Sequence, residues 1–166
     1  MLQEFILSIK SFFKNMDMKF DLECKINLKP IYWRTIPAIS YGVDDKNFGT
    51  ILLKEKQTIY FNCPLDKGFH KLWIKFSNKN YEDSKLDQNL DMAVEIESVN
   101  FEGMTLDRFK WAGEYYPDYP ADYPDKISVI KSATYLGWNG FWELSFTTPI
   151  FIWIHQLENL GWLYEP

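Results

Sequence analysis

From Lys19 onward the chain alternates strictly: Phe20, Leu22, Cys24, Ile26 and Leu28 are apolar, while Asp21, Glu23, Lys25 and Asn27 between them are polar. A period of two puts all the apolar side chains on one face of an extended strand and wets the other, which no helix can do. Short apolar runs follow at Ala38 to Val43 and Phe48 to Leu53, on either side of the polar turn Asp44-Asp45-Lys46-Asn47, which predicts a hairpin. The alternation returns in Gln57 to Cys63, in Phe69 to Phe76 with Leu72, Ile74 and Phe76 facing one way, and around Met92, Val94 and Ile96. It returns again in Ile127 to Tyr135 and Phe141 to Phe146, and Met104 to Trp111 is expected to add another strand. Pro30 and Pro37 act as breakers, Pro64 to Gly68 forms a loop, and Gly137, Asn139 and Gly140 punctuate a tight turn. Eight or nine strands in one domain-sized chain predict an all-β fold, a β-sandwich of jelly-roll-like kind.

Helical spacing is confined to the two ends. Leu2, Phe5, Ile6, Ile9, Phe12 and Phe13 make one apolar face of an amphipathic helix over residues 1–17, and the β-sandwich domain then occupies residues 18–166. Glu4 and Lys10 interrupt the apolar run and no small-residue cleavage site follows, so the segment is not an export signal, and no stretch is expected to span a membrane. Its partner is either its own domain or a neighbouring subunit, which leaves a homo-oligomer open; Met16 and Met18 leave a later start open too. Thr148 and Pro149 are expected to cap and open a C-terminal helix near residues 149–160, carrying Ile150, Trp153, Ile154, Leu157 and Leu160.

Composition narrows the functional classes. A net charge of −5 and the absence of any dense Lys/Arg run argue against nucleic acid as partner. Cys24 and Cys63 are too few for a disulfide framework and lack metal-ligand spacing with His70 and His155; packed thiols are the expectation, one bridge the alternative. His70 is expected to face solvent on its strand, and His155 the polar side of the C-terminal helix. Nucleophile-elbow, phosphate-loop, zinc-protease and dinucleotide fingerprints are all missing, so the chain is not expected to be an enzyme.

Aromatic residues are unusually many, with 13 Phe, 10 Tyr and 7 Trp among 166 residues. The segment from Glu114 to Asp125 combines three prolines, four tyrosines and four carboxylates, which excludes a helix or central strand and predicts an extended loop. Trp111, Tyr115, Tyr116, Tyr119 and Tyr123, in or beside it, are the candidate ligand-binding residues. They form either a rigid aromatic platform for sugar faces or a protein partner, or a flap packed on a sheet edge. A second loop, between Asn78 and Asp91, is dense in hard oxygen donors. Asp83, Asp87, Asn89 and Asp91 are its candidate metal ligands, with Ca²⁺ the ion such donors would suit, the alternative being a solvated polar loop.

Two resemblances bear on these loops. Phe76-Ser77-Asn78, the polar loop, Asp87-Gln88-Asn89-Leu90 and the strand from Val94 to Val99 resemble calcium-dependent xylan-binding modules. That likeness implies a β-sandwich whose acidic loop oxygens hold Ca²⁺ and sugar hydroxyls; Gln88 stands where those modules favour Arg. Gly68 to Leu72, Phe109-Lys110-Trp111, Tyr116-Pro117 with Tyr119-Pro120, and Leu136 to Leu144 with Thr148-Pro149 resemble short proteins of tailed marine bacteriophages. That likeness implies a phage setting, in the virion or in the host cytoplasm during infection. Together they suggest a virion-associated module that binds a glycan, the alternative being a purely structural decoration or adaptor protein that docks on another virion subunit through its N-terminal helix.

Overall fold

The computed structural model describes residues 18–158, so the helix expected over residues 1–17 lies outside the described residues. Among these, eleven strands form two antiparallel sheets that pack face to face as a β-sandwich. The first sheet has the order β10-β6-β1-β4: Tyr135–Leu136, Ala93–Phe101, Phe20–Ile31 and Gln57–Leu65, with β7 (Met104–Thr105) turning back onto β6. The second has the order β3-β2-β5-β11-β8-β9: Lys46–Leu52, Ala38–Val43, Gly68–Phe76, Gly140–Thr148, Glu114–Pro117 and Ile130–Lys131. No described helix is long and apolar enough to cross a membrane.

The alternating residues do what their period requires. Leu22, Cys24, Ile26 and Leu28 of β1 face Leu72, Ile74 and Phe76 of β5 across a core closed by Trp142, Leu144 and Phe146 of β11, all buried. Phe48 of the second sheet stacks on Phe61 of the first, with ring centroids 4.7 Å apart, and seals one flank. Cys24 and Cys63 are both free and buried, and burial pushes the Cys24 thiol well up from its ordinary value, as inert packed thiols should behave.

Several local expectations give way to tertiary context. Pro30 does not end β1, because beyond Leu28 that strand pairs only with β6 and its other edge needs no donor. Pro64 lies inside β4 for the same reason, since β4 is a sheet edge. Met104 to Trp111 is not one strand: after the two residues of β7 the chain forms a short helix, α1 (Asp107–Trp111), which buries Phe109. Glu114 to Pro117 is not loop but strand β8, hydrogen-bonded to β11 on one side and β9 on the other. His70 shares the parity of Leu72 and Ile74, and accordingly it is buried rather than solvent-facing, with Nδ1 2.7 Å from Asp44 Oδ2 and Nε2–H donating to the Asp66 carbonyl at 2.8 Å.

The C-terminal helix is α2 (Ile150–Leu157); Pro149, not Thr148, is its N-cap, and the Thr148 side chain instead accepts from the Gly68 amide at 3.0 Å. Phe109 of α1 stacks on Trp153 of α2 at 5.8 Å, so the two helices meet over one end of the sandwich. At the β8 end, Gly113 is required by space: a Cβ there would lie 2.1 Å from the buried Trp142 ring, whose N–H donates to the Ala133 carbonyl at 2.8 Å. Gly113→Ala must displace that indole, and we expect a loss of roughly 2–3 kcal/mol of stability. Urea unfolding would show this as a lower midpoint at unchanged slope.

Candidate functional site

The candidate site forms where three segments meet at one end of the sandwich: the polar loop after β5, the tyrosine segment after β8 and the turn before β11. The turn is fixed first. The buried Tyr115 hydroxyl donates to the Trp138 carbonyl and accepts from the Trp138 amide at 3.0 Å. Asn139 then clamps the β5 loop: its side chain accepts from the Lys79 amide at 2.8 Å and donates to the Lys79 carbonyl at 2.9 Å. Its own carbonyl accepts from the Asp118 amide at 2.7 Å, which ties down the start of the tyrosine segment.

On this frame lies a cavity of about 270 Å³, lined by Lys79, Tyr81, Ser84, Leu86, Asp91, Tyr123, Gly137 and Trp138. Aromatic rings dominate one side. Tyr119 stacks on Tyr123 at 4.4 Å and 15°, Tyr123 lies 5.7 Å from Trp138, and Tyr81 lies 5.5 Å from Trp138. The Tyr81 hydroxyl donates to Asp122 Oδ1 at 2.7 Å, joining the two loops, and this bond raises the Tyr81 pKa to about 12. The Trp138 indole N–H is buried with no acceptor.

Polar groups line the opposite side. Lys79 is buried, and its ammonium donates to Asp91 Oδ1 at 2.7 Å and to the Gly137 carbonyl at 2.5 Å while lying 5.0 Å from the Trp138 ring centroid. Asp91 also accepts from Ser84 Oγ at 2.5 Å on Oδ1 and from the Tyr135 hydroxyl at 2.7 Å on Oδ2. Burial works against the charged form of Asp91, but the hydrogen bonds from Lys79, Ser84 and Tyr135 outweigh it and hold the carboxyl below the usual range.

The aromatic candidates therefore separate. Tyr123 lines the cavity, and Tyr119 stacks on it without lining the cavity itself. Tyr115 is core, its hydroxyl committed to the turn, so it is a positioning residue and not a platform ring. Tyr116 donates to Glu114 at 2.7 Å and lines a different cavity, with Lys75 and Phe141. Trp111 is exposed at the end of α1, beside Lys110, and does not line the site. Tyr81, Lys79 and Trp138 were not among the sequence candidates; the only sequence signal for Trp138 was its place between turn residues, which marks a loop tip rather than a core strand.

The four candidate calcium ligands do not converge. Asp83 is buried and spent on structure: Oδ1 accepts from Thr35 at 2.7 Å and faces Arg34 Nε at 3.5 Å, and Oδ2 accepts from the Asn80 amide at 2.8 Å. Asp87 and Asn89 are exposed on a separate short turn, Leu86–Gln88 and its left-handed cap. Asp91 is engaged by Lys79 and Ser84 on Oδ1 and by Tyr135 on Oδ2. Among the described residues no group of three or more His, Cys, Asp or Glu side chains is placed to hold a metal, so these donors do not fit Ca²⁺.

Two solved structures share this fold. One, described as vCBM60 in complex with galactobiose, aligns with 75% of this chain and 97% of its own at 12% identity and a TM-score of 0.50. The other is the selenomethionine form of vCBM60, described as showing that circular permutation links two families of calcium-dependent carbohydrate binding modules. It aligns with 74% of this chain and 89% of its own, at 10% identity and a TM-score of 0.50. No protein-family model matches the chain, and no curated protein does.

The Asp91 network has a definite pH signature. A carboxyl with a depressed folded pKa stabilises the fold fully above its unfolded value, near ~3.9, and that contribution is lost as pH falls through the folded value. Asp91→Asn is therefore expected to be less stable than the parent at neutral pH, with the gap closing below about pH 4. Urea midpoints measured across that range would check it.

Proposed function

We propose that the protein is a non-catalytic carbohydrate-binding module, and that the cavity between Tyr81, Tyr123 and Trp138 receives the sugar. The observation that carries this is the pairing of aromatic rings with polar side chains around one cavity. A pyranose presents a C–H face suited to tyrosine and tryptophan rings and a periphery of hydroxyls suited to donors and acceptors. Here Tyr123, backed by Tyr119, and Trp138 supply the rings, and Ser84, Asp91 and Lys79 border the same cavity with polar groups. The volume, about 270 Å³, suits one or two sugar units of a longer chain rather than a large ligand. The shared sandwich fold with vCBM60, whose described complex holds galactobiose, supports the same substrate class.

The setting that accompanies this reading is a bacteriophage particle that attaches to surface glycans, or the host cytoplasm during infection. It rests on the likeness of the segment from Leu136 to Leu144 to tailed-phage proteins.

A glycan array that includes galactobiose tests the proposal. Specific binding is expected, with a shift of tryptophan fluorescence on saturation. Tyr81→Ala and Tyr123→Ala are each expected to lower affinity roughly tenfold, the worth of one aromatic contact, with far-UV circular dichroism unchanged. Tyr60→Ala, exposed on β4 away from the cavity, serves as the unaffected control. Absence of binding to any glycan, or affinity indifferent to Tyr81 and Tyr123, would overturn the assignment.

A further inference from the structure

We infer that the ammonium of Lys79 is a built-in cation that joins the β5 loop to the turn before β11, so that this sandwich forms its cavity without calcium. The inference starts from burial. A lysine side chain only 3% exposed is rare unless paired, because desolvating an ammonium is costly. Here the loss is met on several sides. Asp91 supplies a carboxylate oxygen, Gly137 a backbone carbonyl and Trp138 a ring face.

These oxygens come from different parts of the chain, Asp91 just before β6 and Gly137 just before β11, and the cation itself hangs from the end of β5. One positive charge thus cross-links three segments, which is the structural office a divalent ion performs in oxygen-rich loops. The two cations exclude each other. An ion seated on Asp91 Oδ1 and the Gly137 carbonyl would lie within a few ångströms of the ammonium, where like charges in a partly buried site repel strongly. Ser84 fills the second lone pair of Asp91 Oδ1, and Tyr135 occupies one on Oδ2. The lysine is also held at its root, since both its amide and its carbonyl are bonded to Asn139. A flexible surface lysine would not be gripped in this way.

The inference rests on the sugar-site assignment only in its binding arm, and the test separates the two. The melting temperature of the full chain is measured in millimolar CaCl₂ and in EDTA, together with terbium luminescence sensitised by the neighbouring tryptophan. Equal melting temperatures and no terbium signal are expected. Lys79→Met is expected to melt lower by on the order of 10 °C, as for a buried charge left without its partner, and calcium is not expected to restore it. A rise in melting temperature of the parent protein with calcium, or a Lys79→Met variant as stable as the parent, would overturn the inference. If Lys79→Met fails to fold, the calcium and EDTA comparison on the parent still decides. In the binding arm, glycan affinity unchanged by EDTA is expected. Affinity abolished by EDTA would overturn the built-in cation while leaving the sugar site standing, and metal-independent melting without any glycan binding would do the reverse.

Discussion

The buried hydroxyl of Tyr115 is the contact on which the working end of this molecule depends. It holds the Trp138 backbone through both its carbonyl and its amide, from within a strand already paired on both edges. Besides it, the turn before β11 is tethered by Asn139 and by the Lys79 ammonium on the Gly137 carbonyl. With the hydroxyl in place, the Trp138 indole has a fixed seat, and the rings of Tyr81 and Tyr123 both pack near it. The desolvation that raises the Tyr115 pKa marks the same commitment: the phenol is neutral, dry and used for structure. A binding surface assembled from loops gains affinity when its parts are ordered before the ligand arrives, because less entropy is lost on association.

The sheet architecture was legible in the sequence because burial on one face enforces a period of two, and that period survives in β1, β4, β5, β6 and β11. What was not legible depends on partners distant in the chain. Pro30 and Pro64 look like strand breakers until the sheet order shows which edges lack a neighbour. Glu114 to Pro117 looks like loop because its prolines and carboxylates outvote Tyr115, yet two strands flank it and its inward tyrosine makes it core. His70 was legible in principle, since its parity with Leu72 and Ile74 is inward; the acceptors that make burial tolerable, Asp44 and the Asp66 carbonyl, lie outside its strand.

The acidic loop shows the same limit from the side of chemistry. Density of carboxylates and amides says that oxygen donors are needed, but not by whom. Asn78 uses its amide to bridge the Ile36 carbonyl and the Ala38 amide, and Asp83 anchors Thr35 and Arg34, so both fasten the crossing from β1 to β2 onto the loop. Asp91 answers a lysine. These acids are consumed by the protein's own donors, and a long connection between strands with few apolar residues to bury has little else to hold it in one conformation.

That economy also explains why the aromatic residues, rather than the acids, define the candidate site. A polar side chain engaged in two or three internal hydrogen bonds has little left for a ligand, whereas a ring packed edge-on or offset against its neighbours keeps a face available. Tyr123 is stacked by Tyr119 on one side and borders the cavity with Trp138 on the other, and its orientation is set without spending its capacity for contact. Prolines on both sides of this tyrosine pair limit the conformations that the free loop can visit. The prolines and tyrosines that read together as an extended loop are, on the frame built by Tyr115 and Asn139, the two requirements of a preformed aromatic wall: few backbone states and large rigid faces.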